Sequence, residues 1–151
     1  QRRRASGDLR QRILDIAQRE VGTLEDGANG GAALKYPNAF GRGAEEWCGD
    51  FVSWVNTQAG NPMDVAYVPT LHNQLQQQGK WKGQNDPQPG DLVIFDWEGK
   101  GEAWHVGLVK SVNADGTIQT IEGNTSQPGG GPQGVWEKTR DYSTILGFGN
   151  P

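Results

Sequence analysis

The sequence predicts an α+β domain in which helices come first and an antiparallel sheet follows. In the first half of the chain, apolar residues recur every three or four positions, which is the period of a helix. After Gly79 the pattern changes to short apolar or alternating runs bounded by turn residues, which indicates strands. The chain of 151 residues also contains 23 glycines, about twice the usual share of roughly 7%. This composition favours turns and short strands over long helices.

Apolar stripes, caps and stop residues define the helices. The predicted helices run from about Asp8 to Val21, from Cys48 towards Gly60, and over Leu71–Gln78 with Thr70 as its cap. Between the first two, residues 22–46 form a long connection in which Tyr36, Pro37 and Phe40 are the expected anchors. A connection of this length in a small domain is more often functional than idle.

The second half predicts strands separated by Gly and Pro turns. We expect strands at Asp91–Phe95, Trp104–Val112, Thr117–Gly123, Val135–Arg140 and Ile145–Phe148. The run from Asn113 to Gly116 is typical of a hairpin turn between the second and third of these.

Composition and charge exclude several classes of protein. The formal charge is −4 and no basic stripe is interleaved with aromatic residues, so we expect no nucleic-acid partner. No apolar run approaches the roughly 20 residues that a membrane span needs. A single cysteine excludes an internal disulfide. The chain begins Gln-Arg-Arg-Arg without a visible signal peptide, which is typical of a processed or excised fragment. We expect residues 1–7 to be a tail or linker, residues 8–151 to be one domain, and the protein to be a monomer.

The only cysteine, Cys48, lies where a loop turns into the second helix. A side chain at a helix start feels the unpaired N–H groups and the positive end of the helix, which favour a thiolate. A lone cysteine is also commonly a small buried hydrophobic residue. Position alone leaves both alternatives open.

The hairpin relates three polar residues by numbering alone. If Asn113 pairs with Gly116 across the turn, His105 lies opposite Asn124, and Glu122 is diagonal to His105 on the same face of the sheet. The residue opposite Glu122 is then a glycine, which leaves room for the carboxylate beside the imidazole. A one-residue bulge in either strand would reverse the faces.

These residues together could perform nucleophilic catalysis. A thiolate attacks an amide carbonyl, His105 transfers the proton, and a carboxylate or amide on the second ring nitrogen orients the imidazole. The backbone N–H of Cys48 could help to hold the oxyanion. Each residue has a structural alternative: His105 as a hydrogen-bonded core histidine, Glu122 as a solvent-facing charge, and Asn124 as a turn residue or glycosylation site.

Four sequence blocks in this order resemble the CHAP family, the cysteine, histidine-dependent amidohydrolases/peptidases of the papain-like, NlpC-like superfamily. The blocks are Trp47–Trp54, Pro89–Phe95, His105–Val109 and Ile121–Thr125. The resemblance extends over roughly Leu9 to Phe148. It implies a papain-like α+β fold with helices packed on a central antiparallel sheet, and cleavage of amide bonds in bacterial peptidoglycan.

The resemblance also implies roles for individual residues. Cys48 would be the nucleophile, His105 the base, Glu122 the third member and Asn124 a supporting polar group. Some relatives bind calcium through an acidic loop ahead of the cysteine, but Glu45-Glu46 lacks the Asp-x-Asp pattern, so we expect no metal and no cofactor. With two histidines and one cysteine a zinc site is also not expected.

Four aromatic residues could line a substrate groove: Trp47, Trp104, Tyr36 and Trp136. Packing in the core or at an edge is an equally good interpretation for each of them. His72 is expected on an exposed helix face outside the site.

The leading hypothesis is therefore a peptidoglycan hydrolase that cuts an N-acetylmuramoyl-L-alanine amide or a stem or cross-bridge peptide bond through a thioacyl intermediate. Such an enzyme would act outside the cytoplasm, as a secreted wall enzyme, a phage endolysin or an antibacterial toxin, and a toxin would need an immunity protein. The alternatives are a transacylase or isopeptidase acting on a non-wall amide, and a non-catalytic wall-binding module.

Overall fold

A computed structural model describes residues 2–151 of the chain. Its helices are α1 (Arg2–Glu20), α2 (Lys35–Asn38), α3 (Cys48–Gln58) and α4 (Val68–Gln77). Its strands are β1 (Glu25–Asp26), β2 (Gly30–Gly31), β3 (Trp81–Gly83), β4 (Leu92–Phe95), β5 (His105–Val112), β6 (Ile118–Ser126), β7 (Gln133–Arg140) and β8 (Ile145–Gly149). Within residues 2–151, no helix is both long and apolar enough to cross a membrane.

The central feature is a six-stranded antiparallel sheet in the order β3-β8-β4-β5-β6-β7, and β1 and β2 form a separate small hairpin. Strand residues alternate between two clusters of buried side chains. One cluster joins the sheet to α1, α3 and α4 and includes Val106, Leu108 and Ile121. The other includes Val109 and Ile118. The architecture confirms the predicted α+β class and is consistent with a papain-like fold.

Helix α3 occupies the centre of the first cluster. Phe51, Val52 and Val55 are fully buried, and burial of such side chains stabilises a fold by about 1.5–3 kcal/mol each. The helix starts at the predicted residue, Cys48, and is followed by Gly60 with φ of 87°. That left-handed conformation is the usual C-terminal stop of a helix and favours glycine.

The β5–β6 hairpin has the predicted register near the site, but its loop and the part of the ladder next to the loop differ from the prediction. The loop is one residue longer than predicted, because Asn113 N–H donates to the carbonyl of Thr117 at 2.8 Å. A bulge at Lys110 compensates for this extra residue. Leu108 therefore pairs with Ile121, as the predicted register requires.

Other boundaries differ from the sequence-based prediction. Helix α1 begins at Arg2 instead of about Asp8, so it includes most of the predicted tail; residue 1 lies outside the described residues. Helix α4 begins at Val68 with Pro69 in its first turn, and Tyr67, not Thr70, is the cap residue. Proline suits a first turn because its missing N–H has no helical acceptor there. Strand β3 was not predicted, since it is short and only half buried.

Gly49 gives the fold prediction that is easiest to test. A Cβ at this residue would lie 2.3 Å from the carbonyl oxygen of Ala66, a backbone atom. We expect Gly49→Ala to lower the free energy of unfolding by about 2–3 kcal/mol, because α3 must move away from the segment before α4. Urea denaturation followed by circular dichroism measures the change.

Gly7→Ala is the matched control. Gly7 lies within α1 and no atom lies within 4 Å of its added Cβ. The same substitution should there raise stability by roughly 0.5–1 kcal/mol, because alanine is the better helix former. Equal effects at the two sites would contradict the proposed close contact at Gly49.

Candidate active site

His105 and Glu122 meet on neighbouring strands. Nε2 of His105 lies 2.9 Å from Oε1 of Glu122. Glu122 is fully buried and packs against Gly107, where a Cβ would lie 2.6 Å from its Cγ. The absence of a side chain at Gly107 therefore makes room for the carboxylate, as the sequence predicted. Because Glu122 occupies Nε2, the other ring nitrogen, Nδ1, is left to exchange a proton with a nucleophile.

Arg140 supplies the positive charge that stabilises the buried Glu122 carboxylate. Its guanidinium donates through Nη2 to Oε1 of Glu122 at 2.6 Å and through Nε to Oε2 at 2.8 Å. Thr120 donates its hydroxyl to Oε2 at 2.5 Å. A carboxylate taken out of water needs such partners, because an unpaired buried charge costs several kcal/mol. Glu122 is thus held in one orientation towards His105.

The same contacts shift both pKa values. Burial alone raises the pKa of Glu122, but the hydrogen bonds and charges of Arg140 and His105 outweigh it and lower that pKa to about 2. Burial alone lowers the pKa of His105, but hydrogen bonding and charge from Cys48 and then Glu122 raise it to about 10. The pair is therefore a carboxylate and an imidazolium at neutral pH.

Aromatic rings cover the imidazole. The Trp97 ring stacks on His105 with centroids 5.7 Å apart and on Phe95 at 4.9 Å. The Arg140 guanidinium lies over the Trp97 ring, 4.9 Å from its centroid. Trp97 is 44% exposed, so it forms a partly solvated cover that limits the access of water to the His105–Glu122 pair. Neither Trp97 nor Arg140 was among the predicted site residues.

Cys48 approaches this pair from the helix layer. It is the first residue of α3 and is 7% exposed. It lies near enough to His105 to raise the pKa of the imidazole, so the structure brings the predicted nucleophile and base together. The N–H groups of the first helical turn have no acceptors within the helix. The Cys48 N–H is therefore available to donate to a carbonyl oxygen of a bound molecule.

Asn124 acts on the helix start and not on the imidazole. Its φ of 59° lies in the left-handed region, at an irregularity between β6 and β7. Its Oδ1 accepts a hydrogen bond of 2.8 Å from the backbone N–H of Trp47, the residue before the nucleophile. The side chain therefore ties the start of α3 to the sheet, a contact that the expected register did not include.

Two of the predicted groove residues lie in the core. Tyr36 and Trp47 are fully buried, and their rings stack with centroids 5.4 Å apart. Tyr36 donates its hydroxyl to Glu20, and Trp47 donates Nε1–H to Glu25. They are thus unavailable as groove walls, and they hold residues 22–46 against the start of α3.

The other two aromatic candidates are accessible. Trp136 is half buried on β7 and donates Nε1–H to the carbonyl of Pro132. Trp104 is 52% exposed and lines a cleft beside His105. His72 is half buried, packs edge-on against Trp81 and lines the same cleft.

An ion-pair cluster braces the segment before Cys48. Arg42 donates to Asp50 at 2.6 Å and to Asp64 at 2.6 Å. Asp50 is fully buried two residues after the nucleophile, and its hydrogen bond to Glu45 raises the pKa of Glu45 to about 7. The single positive charge of Arg42 is shared between these two carboxylates, and Oδ2 of Asp50 is buried without a hydrogen-bond partner among the described residues. Across the described part of the chain, no group of three or more His, Cys, Asp or Glu side chains is placed to hold a metal ion.

The site thus places a cysteine at a helix start near a histidine that a buried carboxylate orients, on an α+β fold. The family model described as CHAP domain matches residues 39–124, and the chain belongs to this family. CHAP domains are generally amidases or peptidases, and membership indicates such a role on peptidoglycan. Neither a curated protein nor a solved structure matched the chain. The matched residues include Cys48, His105, Glu122 and Asn124, whereas Arg140 lies beyond them.

Arg140 gives the first prediction from the site. We expect Arg140→Gln to lower the free energy of unfolding by about 3 kcal/mol, because Glu122 stays buried without its guanidinium. Arg19→Gln removes an exposed arginine whose one hydrogen bond to a described residue is to the carbonyl of Asp15, and it should change the free energy of unfolding by less than about 0.5 kcal/mol. Thermal and urea denaturation measure both. Equal stability of the two variants would show that Arg140 does not compensate the Glu122 charge.

The histidine pKa values give the second prediction. Nitrogen-detected NMR should find His105 still protonated at about pH 8, whereas burial lowers the pKa of His72 below its ordinary value. Cys48→Ala should lower the pKa of His105, because the contribution of the thiol is lost while burial remains. Gln58→Ala, at an exposed residue of α3, should leave it unchanged. A His105 that titrates near 6.5 in the wild type would contradict the arrangement.

Proposed function

We propose that this protein is a cysteine hydrolase that cleaves an amide bond of bacterial peptidoglycan, either N-acetylmuramoyl-L-alanine or a peptide bond of the stem or cross-bridge. The observation that supports the proposal is the buried Arg140–Glu122–His105 array acting on Cys48 at the start of α3. Nothing in a purely structural histidine requires a fully buried carboxylate on one ring nitrogen and a cysteine near enough to raise the pKa of the ring. The proposed substrate places the enzyme at the cell wall, outside the cytoplasm.

In the first step the Cys48 thiolate attacks the amide carbonyl and forms a C–S bond. The carbonyl oxygen gains the negative charge, and the N–H of Cys48 in the first turn of α3 is placed to stabilise it. The imidazolium of His105 then gives its Nδ1 proton to the amide nitrogen, and the C–N bond breaks. The amine leaves, and the acyl group remains on sulfur as a thioester.

In the second step a water molecule releases the acyl group. Neutral His105 takes a proton from the water as its oxygen attacks the thioester, and the C–S bond breaks to give a carboxylic acid and the Cys48 thiolate. Glu122 remains ionised throughout, because Arg140 and His105 keep its pKa low. Its role is to orient the ring and to stabilise the imidazolium.

Asn124 and Arg42 would support catalysis without contact with the reacting atoms. Asn124 fixes the peptide unit before Cys48, and Arg42 fixes the first turn of α3 through Asp50. Their bonds hold the Cys48 N–H and the sulfur in one relative position. Misplacement of a catalytic group by about 1 Å can cost roughly 100-fold in rate.

The decisive experiment is mass spectrometry of peptidoglycan incubated with the wild type, Cys48→Ala and His105→Ala. We expect new fragments from the wild type, whose masses identify the cleaved bond, and a rate at least about 10³-fold lower for both variants. Gln58→Ala in the same helix controls for a general effect on α3. Circular dichroism establishes that each variant is folded.

Retained cleavage by Cys48→Ala would refute the proposed nucleophile. If the wild type cuts no walls of several chemotypes, the reaction of Cys48 with iodoacetamide separates the alternatives. A reactive thiol would then favour a transacylase or isopeptidase on another amide, and an inert one a wall-binding module.

A further inference from the structure

A cleft of about 460 Å³ lies beside the candidate active site. One wall consists of residues 66–69 with His72 and Asn73, and the other consists of residues 101–104. Both walls connect directly to the catalytic residues. Trp104 immediately precedes His105, and the carbonyl of Ala66 packs against Gly49, the neighbour of Cys48. A substrate bound at Cys48 can therefore extend into this cleft.

The walls combine accessible aromatic faces with one negative charge. Tyr67 is 69% exposed and Trp104 is 52% exposed, which is unusual for side chains of this size. Among the described residues that line the cleft, Glu102 is the one carboxylate, and it forms no ion pair with any described residue. Burial lowers the pKa of His72, so its imidazole is neutral at pH 7 and adds no opposing positive charge.

We propose that this cleft binds a primary ammonium group of the substrate, namely the side-chain amine of the diamino acid in a peptidoglycan stem peptide. The inference rests on the proposed function for the identity of the substrate. Glu102 supplies the counter-charge, and the aromatic faces of Tyr67 and Trp104 attract a cation through their negative π faces. Ala66, Pro69 and Ala103 give the alkyl part of the side chain an apolar lining.

Aromatic faces alone would also suit the apolar face of a sugar ring. A sugar hydroxyl can also donate to the Glu102 carboxylate, but an uncharged sugar leaves the negative charge without a counter-charge. The carboxylate and the π faces both favour the same charge, and a diamino acid side chain combines that charge with an alkyl chain. The amine is therefore the group that accounts for all three features of the cleft.

The test measures binding to Cys48→Ala protein, which keeps the cleft and removes the proposed nucleophile. The probes are muramoyl-L-Ala-γ-D-Glu-L-Lys with a free ε-amine and the same compound with an Nε-acetyl group. NMR titration should show roughly fivefold weaker binding of the acetylated compound. Adding Glu102→Gln should weaken binding of the free amine by a similar factor and should hardly affect the acetylated compound.

Glu98→Gln is the matched control, because Glu98 belongs to the same loop and lies outside the cleft walls. It should leave the preference for the free amine unchanged. Equal binding of the two probes, binding of neither, or an equal effect of Glu102→Gln on both would overturn the inference. Equal binding that Trp104→Ala abolishes would indicate a sugar site.

Failure of the proposed function is a separate outcome. A clear preference for the free amine, combined with no cleavage of walls by the wild type, would retain the ammonium site and refute the hydrolase. Cleavage by the wild type with no preference for the amine would retain the hydrolase and refute the site.

Discussion

The buried carboxylate of Glu122 is the interaction on which the site depends. A charge that is not exposed to water is stable only if its partners offset the lost hydration energy. The partners of Glu122 are Arg140, Thr120 and His105. The strands β5, β6 and β7 must keep one register for these side chains to meet, so the register of the sheet and the orientation of His105 are fixed together. Trp97 covers the array and keeps its surroundings less polar, which strengthens each charged contact.

A second buried carboxylate has the corresponding role on the helix side. Asp50 lies in the first turn of α3 and is paired with Arg42, which also reaches Asp64. Cys48 thus lies between two guanidinium–carboxylate pairs, one that holds the helix start and one that holds the imidazole. Asn124 joins them, because it belongs to β6 and binds the backbone before Cys48. Cys48 and His105 come from separate layers, and these polar contacts fix their relative position.

The cleft beside the site is formed by two segments that lie next to α3 and β5. Gly49 allows the segment before α4 to approach α3 closely, and that segment carries Tyr67. The opposite wall leads directly into β5 and carries Glu102 and Trp104. The chemistry at the sulfur would be common to any amide, whereas the wall residues would contact the parts of a substrate that lie away from the reacting bond. The proposed reaction would therefore depend on the sheet and the start of α3, and its specificity on the loops.

Local patterns in the sequence were enough to predict the class of fold, the start of α3 at Cys48, and the contact of His105 with Glu122 across a hairpin. Periodicity and turn residues specify these, although the correct register also needed a bulge at Lys110 that compensates for a longer loop. The distant side chains that complete the site could be identified only from the packing of the helices and strands. Arg140 lies 18 residues beyond Glu122, and the rings of Tyr36 and Trp47 are buried because they pack on each other. Such contacts depend on which elements become neighbours, and no local pattern encodes them.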